Sequence, residues 1–140
     1  MTFFLNGMEI DKTYTGFGLR YIFFESDNVI TYDIVEFSVK EFFATCDDQE
    51  YLRILKPYKI EDISGMDWDI KIGNNKPNLF KIFKTIELLG KVYTSTNFPN
   101  VLYYEYENKK MHNHYSQWMM DMDYKKIHDK NGLTFFYREK

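Results

Sequence analysis

The sequence predicts an α+β fold, a mixed β-sheet flanked by helices in which an N-terminal hairpin precedes a β-α-β-α-β run. Three observations carry this. Between Trp68 and Tyr106 the hydrophobic period passes from two to between three and four and back, the mark of a strand, a helix and a strand in succession. Upstream, Leu19–Phe24 and Thr31–Val39 are aromatic and β-branched runs separated by the turn formers Glu25-Ser26-Asp27-Asn28. Across 140 residues, 44% are hydrophobic and 19% aromatic, which suits a packed core and not a disordered tail.

Each element has its own reason. The two early runs read as an antiparallel hairpin, with Val35, Phe37 and Val39 on one face of the second strand and Asp33 on the same side nearer the turn. Ser38 with Glu41, and Asp47 with Glu50, have capping-box spacing, so EFFAT and QEYLRILK each read as a short helix. LRILK has a competing reading as a strand, and Pro57 stops either one. Trp68, Ile70 and Ile72 alternate with Asp69 and Lys71, a strand with one buried face that Gly73-Asn74-Asn75 ends. Pro77 suits a first helical turn, and Leu79, Ile82, Phe83, Ile86 and Leu89 then follow helical spacing as far as Gly90, the expected C-terminal end.

Phe98-Pro99-Asn100 reads as a turn and Val101–Tyr106 as a strand. Asn108 to about Tyr124 reads as a helix through Met111, Tyr115, Trp118, Met119 and Met122. Asp129-Lys130-Asn131-Gly132 turns the chain into a last strand, Leu133–Tyr137. No repeat, low-complexity stretch or linker divides the chain, so a single domain spanning residues 1–140 is expected.

Composition narrows the function classes. A formal net charge of -3 with no long run of one sign argues against a broad nucleic-acid footprint. One cysteine, Cys46, excludes an intrachain disulfide and fits a reducing cytoplasm. No basic, apolar leader opens the chain, and no segment approaches the roughly 18–20 apolar residues of a transmembrane helix. The expected location is therefore the cytoplasm, the host cytoplasm if the chain is phage-encoded, with no membrane partner.

Other groupings have plain explanations. His112 and His114 sit two apart on a helix and point to different sides, so they read as solvated polar residues and no metal site is expected. Cys46 reads as a small buried hydrophobe. Asp67 and Asp69 alternate with Trp68 and Ile70 as a solvated strand face, with Glu61 and Asp62 before them. Tyr103, Tyr104 and Tyr106 read as core and cross-strand residues in preference to a base-stacking platform. Trp118, Met119 and Met122 make a helix face that serves a core or a homo-oligomer contact.

The order of hairpin, strand, glycine loop, helix, strand and tyrosine-bearing helix resembles a family of small uncharacterised bacteriophage proteins. Ile82-Phe83-Lys84-Thr85-Ile86 matches the family's Val-Phe-x-Thr-Val helix, and Tyr115 its helical tyrosine, while Met111 stands where the family has Arg. That layout is in turn similar to the C-terminal half of the GNAT acyltransferase fold, where amides of a Gly-rich loop hold a coenzyme A pyrophosphate at a helix N-terminus. The resemblance implies that Gly73, Asn74, Asn75, Lys76 and Asn78 form the corresponding ligand loop and that Tyr115 is the acid of an active enzyme. The loop here has one glycine where close phosphate approach wants more, and Pro77 removes a donor.

The expectation is a phage-encoded accessory protein on a degenerate acyltransferase-like fold. It binds a host or viral protein, or a small nucleotide-like ligand, without a cofactor. The alternatives are an active acetyl-CoA-dependent N-acyltransferase and a virion structural component.

Overall fold

The computed structural model describes residues 1–140. It is an α+β protein with eight strands in a mixed sheet and four helices. The chain divides into two compact units: residues 1–35 with 66–97, and residues 36–65 with 98–140.

The first unit opens with an antiparallel meander of β1 (Thr2–Leu5), β2 (Met8–Thr15), β3 (Gly18–Glu25) and the first part of β4 (Asn28–Ser38). Two of its turns have two residues, both at positive φ: Asn6-Gly7 (52° and 74°) and Ser26-Asp27 (48° and 64°). Such turns match the right-handed twist of the strands they join. The predicted hairpin is present, and β1 and β2 precede it.

The buried face of β4 carries Ile30, Tyr32 and Ile34, not Val35 and Phe37, which are half-buried. Both sets are apolar, so alternation alone does not choose between them. The helix that lies over Tyr32 does. That helix is α3 (Leu79–Asn97), which buries Ile82, Ile86, Leu89 and Tyr93. It runs past Gly90, whose added Cβ would lie 3.5 Å from the Tyr32 hydroxyl, so the glycine marks close packing and not a helix end. The helix starts at Leu79, two residues after Pro77: the Ile82 amide donates to the Asn78 carbonyl, and the Lys81 amide to Asn78 Oδ1.

Next to β4 in the strand order comes β5 (Asp62–Lys71), which begins six residues before the predicted Trp68. Its early part, Ile63-Ser64-Gly65-Met66, is buried throughout and shows no alternation to read. The expected buried face at its end also needs correction. Trp68 packs edge-on against Phe83, but Ile72 lies beyond the strand and is 92% exposed.

In the second unit, α1 (Val39–Thr45) begins at the Ser38–Glu41 capping box that its spacing predicts. Val39 is thus the first helical residue and not the last of a strand. Helix α2 (Gln49–Leu55) settles the competing readings of LRILK in favour of a helix, capped by Asp48 and not by Asp47. The strands of this unit run β5, β6 (Val101–Glu105), β8 (Leu133–Tyr137), β7 (Lys125–Lys130), with the last two pairs antiparallel. Helix α4 (Lys109–Asp121) ends before the predicted Tyr124. β7 was unexpected; an Asn131-Gly132 turn at φ 57° and 77° joins it to β8. The core here gathers Leu55, Ile63, Val101, Phe135 and Tyr137. No helix in the chain is long and apolar enough to cross a membrane.

Candidate functional site

The loop between β5 and α3 lies within the first unit, against the β3–β4 turn. Asn28, wholly buried at the start of β4, directs its side chain onto that loop. Its Oδ1 accepts from the Gly73 amide at 2.5 Å, and its Nδ2 donates to the Asn75 carbonyl at 2.9 Å and to the carbonyls of Glu25 and Ser26. Glu25 Oε2 accepts from the Asn78 amide at 2.6 Å, and Asn75 Nδ2 donates to Asp27 at 3.1 Å.

Two consequences follow for the expected ligand loop. The amides of Gly73 and Asn78 are donated within the protein, the second of them to a carboxylate. A carboxylate at a helix N-terminus interacts favourably with the positive end of the dipole and places negative charge where a phosphate would sit. The need for glycine at 73 also has a local cause: a Cβ there would lie 2.6 Å from the backbone carbon of Asp27. Asn74 and Lys76 are exposed, and Ile72, Leu79 and Phe80 beside the loop are 92%, 50% and 81% exposed.

Tyr115, the proton donor under the acyltransferase alternative, belongs to the second unit and is 6% exposed. Its ring packs against Tyr104 and Trp118, with centroids 5.1 and 4.8 Å away. Met119 on the same helix is buried, while Trp118 and Met122 are half-buried and Met120 is the exposed member. Met119 therefore belongs to the core and not to a contact face.

A polar network escaped the sequence reading. His112, expected in solvent, is 3% exposed, because α4 turns it toward β6 and the β7–β8 hairpin. Its Nε2 lies 2.8 Å from Asp129, which also accepts from the Tyr106 hydroxyl at 2.8 Å, the Thr134 hydroxyl at 3.2 Å and the Lys126 ammonium at 3.3 Å. Burial pushes the Asp129 carboxyl up, but the hydrogen bonds from Tyr106 and His112 outweigh it and hold the carboxyl at about 2. An ionised carboxylate only accepts, so Nε2 carries the proton. Nδ1 lies 2.9 Å from the Tyr104 hydroxyl, which donates to the His112 carbonyl at 3.1 Å.

Tyr104 also lies within reach of Ser116 Oγ, and burial raises its hydroxyl above the ordinary tyrosine range. Hydroxyl, imidazole and carboxylate are thus in sequence, but the hydroxyl end is buried at 3% exposure. The arrangement ties β6, α4 and the β7–β8 hairpin together and presents no nucleophile at the surface. Nothing in the spacing announces it, since Asp129 reads as a turn former.

The remaining groups fall out simply. No group of three or more His, Cys, Asp or Glu has metal-binding geometry. Cys46 is half-buried, not buried, with its sulfur 3.8 Å from the Asp48 carbonyl. Asp67 and Asp69 are both exposed, as their alternation implies, and Glu61 pairs with Lys140. Comparison of the chain with protein families, with curated proteins and with solved structures finds no match.

Proposed function

We propose that this chain is a phage-encoded accessory protein that acts by binding a host or viral protein through the surface around Gly73–Asn78, on a degenerate acyltransferase-like fold. The order β5-α3-β6-α4-β7-β8 supports the likeness of layout. The single observation that carries the binding reading is the Glu25 carboxylate on the Asn78 amide. It occupies the donor that a cofactor pyrophosphate needs, while Ile72, Leu79 and Phe80 stand in solvent around it. Exposed apolar side chains gathered beside a pinned loop suit a protein partner better than a nucleotide. The burial of Tyr115 points the same way.

Three measurements test this. Calorimetric titration with acetyl-CoA is expected to give no heat of binding; micromolar affinity would overturn the reading and favour N-acyl transfer. A photo-reactive phenylalanine in place of Phe80 is expected to capture one defined protein from the source cells, and the same probe in place of exposed Val92 is not. Equal capture at both positions, or a high-order assembly of the chain alone on sizing, would count against an accessory binding role. Substituting Gly73 is not a clean probe of cofactor binding, because a side chain there meets the Asp27 backbone.

A further inference from the structure

The partner's chemistry is legible in the charge around the loop. The whole chain is acidic, with a formal charge of -3. Residues 71–84 nevertheless hold Lys71, Lys76, Lys81 and Lys84 and no Asp or Glu. Lys84 is taken up by Glu87. Lys71, Lys76 and Lys81 form no ion pair. They alternate along the chain with the exposed Ile72, Leu79 and Phe80.

From this juxtaposition we infer that the surface receives an acidic protein segment bearing apolar side chains, its carboxylates meeting the three lysines and its apolar residues covering Ile72, Leu79 and Phe80. Complementary charge of this kind steers encounter and excludes wrong partners, while apolar contact supplies most of the affinity. The same surface is poorly matched to nucleic acid or an anionic bilayer. Either would present unbroken negative charge, and the loop is backed by Glu25 and Asp27 of the turn docked on it. A folded or peptide partner places its charges discretely and leaves that turn alone. The inference rests on the binding reading above and adds to it the sign of the partner.

The test uses the full chain and a synthetic peptide alternating Glu with Leu and Phe, against the same pattern with Lys for Glu. Vesicles of phosphatidylserine with phosphatidylcholine, and oligothymidylate, serve as the other anionic probes. The acidic peptide is expected to bind, to weaken with added salt, and to lose about tenfold in affinity in the triple variant K71E/K76E/K81E. The Lys peptide is expected to bind that variant instead. Equal binding of both peptides to the native chain would overturn the inference, as would vesicle or oligonucleotide binding abolished by the triple variant. The serine variant I72S/L79S, which leaves position 80 free for the photo-reactive probe, separates this from the broader reading. If it loses the protein captured at position 80 while the charge-reversed variant keeps it, the binding surface stands and the acidic partner falls. If neither variant loses that protein, both fall. Circular dichroism of each variant checks that the fold is kept, above all at Lys81, which is half-buried.

Discussion

Gly73 and Gly90 are both glycines in helix-bearing surroundings, yet a methyl group meets a different neighbour at each. At position 90 the nearest atom is the Tyr32 hydroxyl at 3.5 Å, an ordinary contact. Gly90→Ala is therefore expected to raise stability by about 1 kcal/mol through helix propensity and a restrained unfolded chain. At position 73 the obstacle is the Asp27 backbone, which has no rotamer to change. Gly73→Ala is expected to cost about 1–3 kcal/mol and to release the loop. Chemical denaturation of the two variants checks both signs. Sequence alone reads Gly90 as a helix end and Gly73 as part of a ligand loop, and neither reading contains the neighbour that decides.

Asp129 carries a prediction of its own. Its folded carboxyl is held at about 2, below the unfolded value of about 3.9. The stability this contributes is complete above pH ~4 and is lost as the pH falls through about 2. The native chain should therefore lose more stability over that interval than Asp129→Asn, measured as the denaturant midpoint at each pH. Parallel curves would remove Asp129 from the account.

At the scale of elements, helix starts were readable where the capping residue lies next to its helix. Ser38 and Glu41 cap α1 as their spacing implies, and Asn108 caps α4 through the Lys110 amide. The mouth of α3 has its local cap in Asn78 and a second partner, Glu25, which lies 53 residues earlier in the chain and takes the Asn78 amide. No local pattern contains that pairing. Glu25→Ala is expected to cost about 1 kcal/mol and to speed hydrogen exchange at the Asn78 amide selectively. Unchanged exchange there would mean that the carboxylate is not what protects it.

Strands were legible where one face is wet and the other dry. β7 reads KKIHDK, an edge strand with three lysines and a register shift between Lys126 and His128, so it offers little apolar alternation. The Asn6-Gly7 pair between two strand-like runs was the available signal for the β1–β2 hairpin.

For the molecule as a whole, composition foretold an α+β chain with ample apolar residues to bury. It did not foretell that those residues divide between two compact units. Each has its own fully buried residues, Ile82 and Ile86 in the first and Leu55 and Ile63 in the second. Leu55→Ala is expected to cost about 2–5 kcal/mol, since Leu55 is 0% exposed within the cluster of Ile63, Val101, Phe135 and Tyr137. A loss below 1 kcal/mol would mean that this cluster collapses readily around the missing atoms. The surface was less legible than the core. Burial follows from hydropathy, whereas the exposure of Ile72 and Phe80 depends on where strand β5 stops and helix α3 begins.

The docking of the β3–β4 turn on the β5–α3 loop also constrains descent. Positions 25–28 and 73–78 are bound to one another although about 45 residues separate Asn28 from Gly73. A lengthened turn would unseat the loop, and a bulkier loop would push out the turn. Lineages of this chain should therefore change the two segments together or not at all, a correlation that ancestral reconstruction would reveal as paired substitutions.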